Sequence, residues 1–399
     1  MSEATQPQPD EEATTASAPE TAAAPVPEPA EPAQAPGRTS RVARDEHSVL
    51  ERIEAFRRRR PKLNDEVVTL AHGAGGKSSA ALIDAVFLEA FRNETLAPLA
   101  DGAVITLPSG DRLAFSTDSF VVSPLRFPGG SIGELAVNGT VNDVSMMGAR
   151  PAWLSSAFVI EEGFSIAELR AVVADMAAAA AAAGVTIVTG DTKVVGRKAA
   201  DGLYINTAGV GLIPPERHLD AALVQAGDSI LVSGTIADHG VAVMLARGDL
   251  NLEADVSSDT APLNGLVDVL FDAAPDVRWL RDPTRGGVAT VCNELAQATG
   301  LSMILDEVLL PIEPPVLGAC DMLGIDPLYV ANEGKLLAIV PPDQEEAALK
   351  AMRDHPLGAR AAKIGTVRAD PPGIVVLLTT FGGTRIVDML VGDPLPRIC

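Results

Sequence analysis

Four aspartates of this sequence stand beside serine, threonine or glycine rather than within exposed runs of charge. They are Asp118 in "STDSF", Asp143 in "VNDVSMMGA", Asp191 in "GDTKVV" and Asp282 in "RDPTRGG". Carboxylates that converge in a cleft hold Mg²⁺, which can neutralise the oxygens of a triphosphate. Any one of these aspartates could instead cap a helix or a turn. Four such positions in one chain favour a site for magnesium and a nucleotide.

Two glycine-marked turns are candidate anion cradles. The first, "AHGAGGKSS", nearly matches a P-loop, but the first glycine of that motif falls at Ala71. A glycine-rich turn before a helix can still approach an anion through its N–H groups, although a tight turn that needs positive φ is the alternative. The second turn begins "TRGGVATV". The candidate residues are Gly73, Gly75, Gly76, Thr284, Gly286 and Gly287.

Three further residues could take part in proton or group transfer. Lys193 in "GDTKVV" and Glu333 in "ANEGK" follow or precede predicted strands, and as a pair in a cleft they could set each other's charge. Each alone could equally be a solvated surface charge. Cys399 ends the chain after "VGDPLPRI", which is not a helical sequence. Extended at up to ~3.5 Å per residue, this segment could carry the thiol on the order of 25–30 Å. An incidental terminal cysteine is the alternative.

Several of the candidate residues fall at defined positions in the predicted secondary structure. Ser131 and Glu134 form a capping box that starts a helix running to about residue 147. Asn138 and Asn142 lie on one face of this helix, and Asp143 flanks that face. A second capping box, Ser165 and Glu168, is predicted to start a helix that ends at Gly184.

Other segments also have clear patterns. "GAVITLPSGDRLAFSTDSFVV" predicts a hairpin. "EVVTLAHGAGGKSSAALIDAVFLEAF" predicts a strand, a glycine-rich turn and a helix, and "VTIVTGDTKVV" a strand followed by a polar turn. We expect His72 and His239 to form loop hydrogen bonds, and Cys292 and Cys320 to be core thiols.

Composition narrows the class of protein. The 399 residues suffice for two domains. A formal charge of −22 argues against nucleic acid as the main partner, and no apolar run reaches the roughly 20 residues of a membrane helix. The N-terminal residues lack the features of a secretory signal, and the three scattered cysteines fit neither a disulfide framework nor a zinc site. We expect a cytoplasmic protein with no nucleic-acid or membrane partner.

The chain divides into four segments. Residues 1–62 hold an acidic tail rich in proline and alanine, expected to be disordered, and a basic run that is either a solvated surface or a binding patch. Residues 63–214 and 215–388 are predicted as two α+β domains. Residues 389–399 are predicted as a mobile tail that carries Cys399.

From about Thr69 to Cys399 the sequence resembles the HypE family, the carbamoyl dehydratases of nickel–iron hydrogenase maturation. The resemblance rests on motifs in family order: "HGAGGKSS", "STDSFVVSPLRFPGGSIGELAVNGTVNDVSMMGARP", "GDTKVVGR", "INTAGVG", "DPTRGG", "DPLYVANEGK" and the closing "PRIC". The family belongs to the AIR synthetase-like (PurM-like) superfamily. The resemblance therefore implies a two-domain PurM-like α+β fold, a homodimer formed by the N-terminal domains, and ATP with Mg²⁺ in a cleft.

Roles carried over from the resemblance fall on matching positions. Asp118, Asp143 and Asp282 match metal-binding aspartates, and Asp191 is a further candidate. The nucleotide contacts would come from Asp118, Asp191, Asn142 and the two glycine-marked turns. Lys193 and Glu333 match a catalytic pair, and Cys399 matches the acceptor thiol.

The resemblance also implies an activity. The terminal cysteine would receive a carbamoyl group from a HypF-type carbamoyltransferase, and ATP-dependent dehydration would convert it to a thiocyanate. The cyanide would then pass to a HypC–HypD complex for the hydrogenase iron. Two alternatives stay open at this point: a PurM-like enzyme that acts on a free small molecule, and a passive carrier of the carbamoylated thiol.

Overall fold

Two mixed β-sheets with packed helices organise the residues that the computed structural model describes, 63–248 and 254–392. These residues all lie in the compact unit 58–399. The expectations for residues 1–62 and for Cys399 fall outside the described residues. Among the described residues, no helix is both long and apolar enough to cross a membrane. The α+β fold class is confirmed.

The first sheet has the strand order β1-β2-β7-β5-β6, and only β5 and β6 run parallel. The hairpin predicted at β1–β2 is confirmed. A two-stranded pair, β3–β4, follows the hairpin. The strands are β1 (Ala103–Thr106), β2 (Arg112–Phe120), β3 (Arg126–Phe127), β4 (Gly130–Ser131), β5 (Arg150–Glu161), β6 (Thr186–Val195) and β7 (Leu203–Ile213).

The second sheet has the order β14-β13-β10-β12-β8-β11-β9, in which only β10 and β13 run parallel. Buried apolar side chains of its strands form one core with the helix that begins at Gly287 and another with the helices at 264–273 and 345–354. The strands are β8 (Ser229–Val232), β9 (Trp279–Arg281), β10 (Ser302–Asp306), β11 (Leu337–Val340), β12 (Ala362–Arg368), β13 (Val375–Leu378) and β14 (Thr384–Val387).

The helices pack against both sheets. They are α1 (Lys77–Leu82), which continues through a π-helical turn (Ile83–Leu88) into α2 (Glu89–Phe91), α3 (Ile132–Met146), α4 (Ile166–Ala183), α5 (Asp238–Arg247), α6 (Asn264–Ala273), α7 (Gly287–Thr299), α8 (Pro314–Leu323) and α9 (Glu345–Asp354). Short 3₁₀ helices occur at Leu70–Gly73, Ala221–Leu223, Glu307–Leu309, Pro327–Tyr329 and Pro356–Gly358.

Helix α3 lies across β2, β5 and β7, and it connects the first sheet to the site. Its predicted cap is present, because Ser131 Oγ accepts the N–H of Glu134. Gly209 of β7 lets the helix approach closely, since a Cβ there would lie 2.8 Å from Thr140 Cγ2. Thirteen of its fifteen residues are buried, so the polar side chains of α3 must find partners inside the protein.

Two sequence predictions of local structure are wrong. Val67, Val68 and Leu70 are exposed and belong to no strand, because no strand among the described residues pairs with this segment to satisfy its backbone groups. The polar turn expected at "GDTKVV" is instead the continuation of β6, whose parallel pairing with β5 extends from Thr186 to Val195. Asp191 and Lys193 are therefore strand residues.

Candidate active site

Three aspartates converge where α3 meets the end of β9. One carboxylate oxygen from each of Asp101, Asp143 and Asp282 lies within 4.8 Å of the other two. Asp143 comes from α3, Asp282 directly follows β9, and Asp101 precedes β1. We call these three residues the acidic cluster. Asp118 of β2 stands beside it, close enough for its charge to raise the pKa of both Asp143 and Asp282.

Burial dominates the electrostatics of the acidic cluster. It raises the pKa of Asp101 and Asp143 well above the ordinary value, and neighbouring carboxylates add to the effect. The pKa of Asp282 is raised from 3.8 to about 6, mainly by burial, while the Arg281 guanidinium opposes the rise. Arg281 is the principal cation here, with its Nε 2.7 Å from Asp101 Oδ1.

This donor set suits a divalent cation. The acidic cluster offers oxygen ligands only, which Mg²⁺ prefers, and the mutual repulsion of the carboxylates is relieved when a cation lies between them. Two of the expected metal ligands, Asp143 and Asp282, are in the cluster, and Asp118 flanks it. Asp101 was missed by the sequence analysis. Its only signal was an acidic residue just before the predicted hairpin.

Glu333 is buried on the same side of α3. Its side chain is 3% exposed, and its Oε1 has no hydrogen-bond partner among the described residues. Burial raises the pKa of Glu333 well above its ordinary value, and the charges of Asp282 and Asp118 raise it further. Asn138 Oδ1 is likewise buried without a partner. A buried carboxyl with an unused oxygen is typical of a group that meets a reactant.

Asn142 holds the backbone that carries Glu333. Its amide nitrogen donates to the carbonyls of Ala261 and Glu333, both at 3.1 Å, and its oxygen accepts the N–H of Leu263 at 2.8 Å. The family resemblance predicts Asn142 as a nucleotide contact. In this structure its hydrogen-bonding groups bind the chain instead, because the residue is buried between α3 and residues 261–263.

Asp259 supports Glu333 from a second direction. Its Oδ1 accepts the N–H of Glu333 at 3.0 Å, and its Oδ2 lies 3.0 Å from Lys335 Nζ. Burial would raise the pKa of Asp259, but the Lys335 and His239 charges and these hydrogen bonds lower it overall. A Cβ on Gly334 would lie 1.7 Å from the Asp259 carbonyl oxygen, so the two segments are in direct contact.

The two glycine-marked turns contact each other next to the acidic cluster. A Cβ on Gly75, whose φ is +75°, would lie 2.7 Å from the carbonyl oxygen of Arg285. Gly286 has a φ of +77° and caps α7, which begins at Gly287. Arg285 Nη2 lies 4.0 Å from Asp118 Oδ1, so it is a cation of the site that the sequence analysis had not singled out. The predicted nucleotide contacts of these turns remain predictions.

The first turn is not a P-loop. No strand precedes it in the part of the chain described from residue 63 onwards, and Gly73 is the last residue of a 3₁₀ helix. The N–H of Gly75 donates to Ser79 Oγ at 2.9 Å, and the N–H of Lys77 donates to the carbonyl of Leu390 at 2.8 Å. These groups, which would face phosphate in a P-loop, bind the protein's own chain.

Asp191 and Lys193 lie apart from the acidic cluster within one chain. The pairing register runs from Asp191 through Ala157 and Asn206 to Ser119, so three strand spacings, ~14 Å, separate β6 from β2. Lys193 Nζ lies 2.8 Å from Asp191 Oδ2, and the side chains are 68% and 62% exposed. The expected pairing of Lys193 with Glu333 is therefore not present in this chain.

The surroundings of the two other cysteines and two histidines considered above indicate structural roles. Cys292 and Cys320 are buried in the core as expected. His72 Nδ1 lies 3.0 Å from both the N and Oγ1 of Thr69. His239, in helix α5 rather than a loop, has its Nδ1 2.8 Å from Ser258 Oγ.

Comparison with known proteins finds similarity along most of the chain. Family models described as AIR synthase related protein match residues 99–213 with the N-terminal domain and 225–377 with the C-terminal domain. The carbamoyl dehydratase HypE of Rhodobacter capsulatus is 53% identical over 340 residues, which are 84% of this chain and 99% of the relative.

Two solved structures are similar in both sequence and fold. One is the hydrogenase maturation protein HypE in complex with ATP, with a TM-score of 0.70 and 47% identity, covering 84% of this chain and 100% of that chain. The other is a HypE–HypF complex, with a TM-score of 0.74 and 46% identity, covering 78% and 100%.

Proposed function

Since this chain belongs to the HypE family of carbamoyl dehydratases, we propose that it uses ATP to dehydrate an S-carbamoyl group on its own Cys399, leaving a thiocyanate. The observation that carries the proposal is the acidic cluster, in which Asp282 is buried and Asp101 and Asp143 are partly exposed, with buried Glu333 beside two glycine-marked turns. Both features serve a reaction in which negative charge must be balanced and protons removed. Cys399 itself lies outside the described residues.

The chemistry follows from the poor leaving ability of an amide-like oxygen. The carbamoyl oxygen of the thiocarbamate takes the γ-phosphoryl group of ATP, which releases ADP. The C–O bond then breaks and the oxygen leaves with phosphate, while the two protons of the nitrogen are removed and the C≡N bond forms. Thiocarbamate and ATP thus give thiocyanate, ADP and phosphate. In-line phosphoryl transfer depends mainly on positioning and balanced charge, which a rigid acidic site supplies.

We assign Asp143, Asp282, Asp118 and Asp101 as the residues that would hold Mg²⁺, and a bound ion would supply charge neutralisation for the phosphate oxygens. Arg285 adds a cation between the second turn and Asp118. Such a neutralised site allows an acidic protein to bind a triphosphate. The glycine-marked turns remain the proposed nucleotide contacts, and Asp191 would join them from β6 of another subunit, because it lies three strand spacings from β2 within one chain.

We assign Glu333 as the base for the nitrogen protons. Its raised pKa makes the ionised form a stronger base than an ordinary glutamate, and its Oε1 is not engaged by another described residue. Asn142 and Asp259 fix the backbone of Glu333 and so fix its approach. The proposed partnership of Lys193 with Glu333 would need β6 of another subunit, because the two residues are apart in one chain.

A homodimer is part of the proposal. Strand β6 is almost wholly exposed at the edge of its sheet, and its Ile187, Val188 and Val194 side chains face solvent, as does Trp153 of β5. An exposed apolar edge of this size is typical of an association surface. We further propose a HypF-type carbamoyltransferase as carbamoyl donor, in line with the solved HypE–HypF complex, a HypC–HypD complex as cyanide acceptor, and a cytoplasmic location.

Mass spectrometry of the C-terminal peptide tests the function. The protein is first carbamoylated by a HypF-type transferase, purified and then given ATP. Dehydration predicts loss of the mass of one water from the Cys399 peptide, and a Glu333→Gln variant should keep the carbamoyl group. A carbamoyl group that persists in the unmodified chain with ATP would support a passive carrier. ATP turnover that is unchanged in Cys399→Ser would support an enzyme for a free small molecule.

A further inference from the structure

The last described residues of the chain are bound to the first glycine-marked turn. The N–H of Lys77 donates to the Leu390 carbonyl, Ser78 Oγ donates to the Val391 carbonyl at 2.8 Å, and Lys77 Nζ lies 2.8 Å from Asp388 Oδ2. In addition, Tyr329 Oη donates to the Asp388 carbonyl at 2.7 Å. We call these contacts of Lys77, Ser78 and Tyr329 with residues 388–391 the clasp.

The fit of the clasp is close. A Cβ on Gly76 would lie 2.2 Å from the Leu390 carbonyl oxygen, so this glycine is required for the contact rather than for flexibility. Met389 is buried within the same segment. Three backbone carbonyls in four consecutive residues therefore have a specific donor, although residues 388–391 form neither strand nor helix. An irregular segment held in this way has a defined position.

A short series of contacts connects the clasp to the active site. Gly76 touches Leu390, Gly75 touches Arg285, and Arg285 Nη2 is 4.0 Å from Asp118. Only residues 393–399 follow the described part of the chain. The eight residues from 392 to 399 extend at most ~28 Å, so the point at which the chain leaves the clasp decides which atoms Cys399 can reach.

We propose that the clasp is a positioning device: Lys77, Ser78 and Tyr329 fix the start of the terminal segment beside the active site and so set the reach of Cys399. The inference rests on the proposed role of Cys399 as the carbamoyl acceptor. It gives a function to "GAGGKSS", the motif that is not a P-loop. Without the clasp, the last anchor is Met389, which is buried and whose Sδ lies 3.6 Å from Gln297 Nε2.

Loss of the clasp would lengthen the tether from residues 392–399 to residues 390–399. The effective concentration of a tethered group falls with about the −3/2 power of tether length, so ten residues in place of eight predict a roughly 1.4-fold lower rate. With the longer tether, however, Cys399 would still reach the active site after a few tether residues are deleted. Removal of Asp393, Pro394 and Leu395 shortens the reach by ~10 Å, which a clasped chain cannot recover.

The experiment compares four proteins: the unchanged chain, the 393–395 deletion, the clasp variant Gly76→Ala/Lys77→Met/Ser78→Ala/Tyr329→Phe, and the combination. Gly76→Ala is included because its Cβ would displace the Leu390 carbonyl, which the backbone N–H of Lys77 otherwise still binds. Each keeps "PRIC" and is carbamoylated and purified before ATP is added. The single-turnover rate of water loss is then measured on the carbamoylated fraction. We expect the deletion to slow dehydration at least ~10-fold in the clasped chain and no more than ~3-fold in the clasp variant.

Two matched variants keep the result specific. Lys77→Arg keeps the ion pair with Asp388 and should behave as the unchanged chain. Lys350→Met breaks a surface ion pair elsewhere, so the 393–395 deletion should slow dehydration in this variant as much as in the unchanged chain. A deletion that costs nothing, or costs the same in both backgrounds, would overturn the inference. Failure of the full-length unchanged chain to lose water would instead refute the proposed function, and the inference with it.

Discussion

The acidic cluster predicts that the cation-free protein is destabilised at neutral pH. The pKa of Asp282 rises from 3.8 to about 6 on folding, so the folded state binds this proton more tightly than the unfolded state. The resulting stability is present below about pH 4 and is lost as the pH rises through about 6. A rise of this size corresponds to roughly 3 kcal/mol of unfolding free energy. Asp282→Asn cannot ionise and should avoid that loss.

Chemical denaturation at several pH values without and with Mg²⁺ measures the effect. In EDTA at pH 7.5, Asp282→Asn should be more stable than the unchanged chain by up to ~3 kcal/mol, and at pH 4 the difference should nearly disappear. Mg²⁺ should stabilise the unchanged chain in proportion to the logarithm of its concentration, and it should stabilise the variant much less.

The control is Asp354→Asn, which removes an exposed carboxylate of a surface ion pair and should change stability by less than ~1 kcal/mol at either pH. An Asp282→Asn variant no more stable than the unchanged chain in EDTA at pH 7.5 would refute the destabilising role of the Asp282 charge. Equal stabilisation of the two proteins by Mg²⁺ would refute the assignment of Asp282 to the cation site.

Three further predictions concern the supports of the site. Asn142→Leu leaves buried backbone hydrogen-bonding groups of residues 261–263 and 333 without a partner. It should lower the free energy of unfolding, measured by urea denaturation, by ~2–4 kcal/mol. A loss below ~0.5 kcal/mol would contradict the structural role of Asn142. Asp259→Asn should reduce the dehydration rate at least ~10-fold with ATP affinity changed less than ~3-fold, and equal losses in both would argue against specific positioning of Glu333. Val194→Glu should convert a dimer to a monomer in sedimentation, and an unchanged mass would exclude this edge from the dimer interface.

Local signals in the sequence were sufficient for the helices that carry the site. The capping boxes at Ser131 and Ser165 correctly located the starts of α3 and α4, because an N-cap depends on residues three positions apart. The β1–β2 hairpin was also predictable, because its two strands and the turn between them are adjacent in the sequence. The grouping of Asp143 with Asp282 was anticipated from their residue types and from the family resemblance.

What the sequence concealed depends on distant packing. Asp101 joins the acidic cluster because Arg281, far along the chain, binds it at the end of β9. Because "GDTKVV" pairs with β5, it continues strand β6 instead of forming a turn. Lys193 therefore lies on β6, apart from Glu333. The glycines at 75 and 76 predict an anion site, and nothing in the sequence indicated that Arg285 and Leu390 pack directly against them. Contacts of this kind have no local signature.

An oxygen-label measurement tests the central claim most directly. The protein is carbamoylated with ¹⁸O in the carbamoyl oxygen, purified and incubated with unlabelled ATP, and the released phosphate is analysed by mass spectrometry. Dehydration through phosphorylation of that oxygen predicts one ¹⁸O atom in the phosphate for each thiocyanate formed on Cys399. Thiocyanate formed with unlabelled phosphate and labelled water would contradict the account.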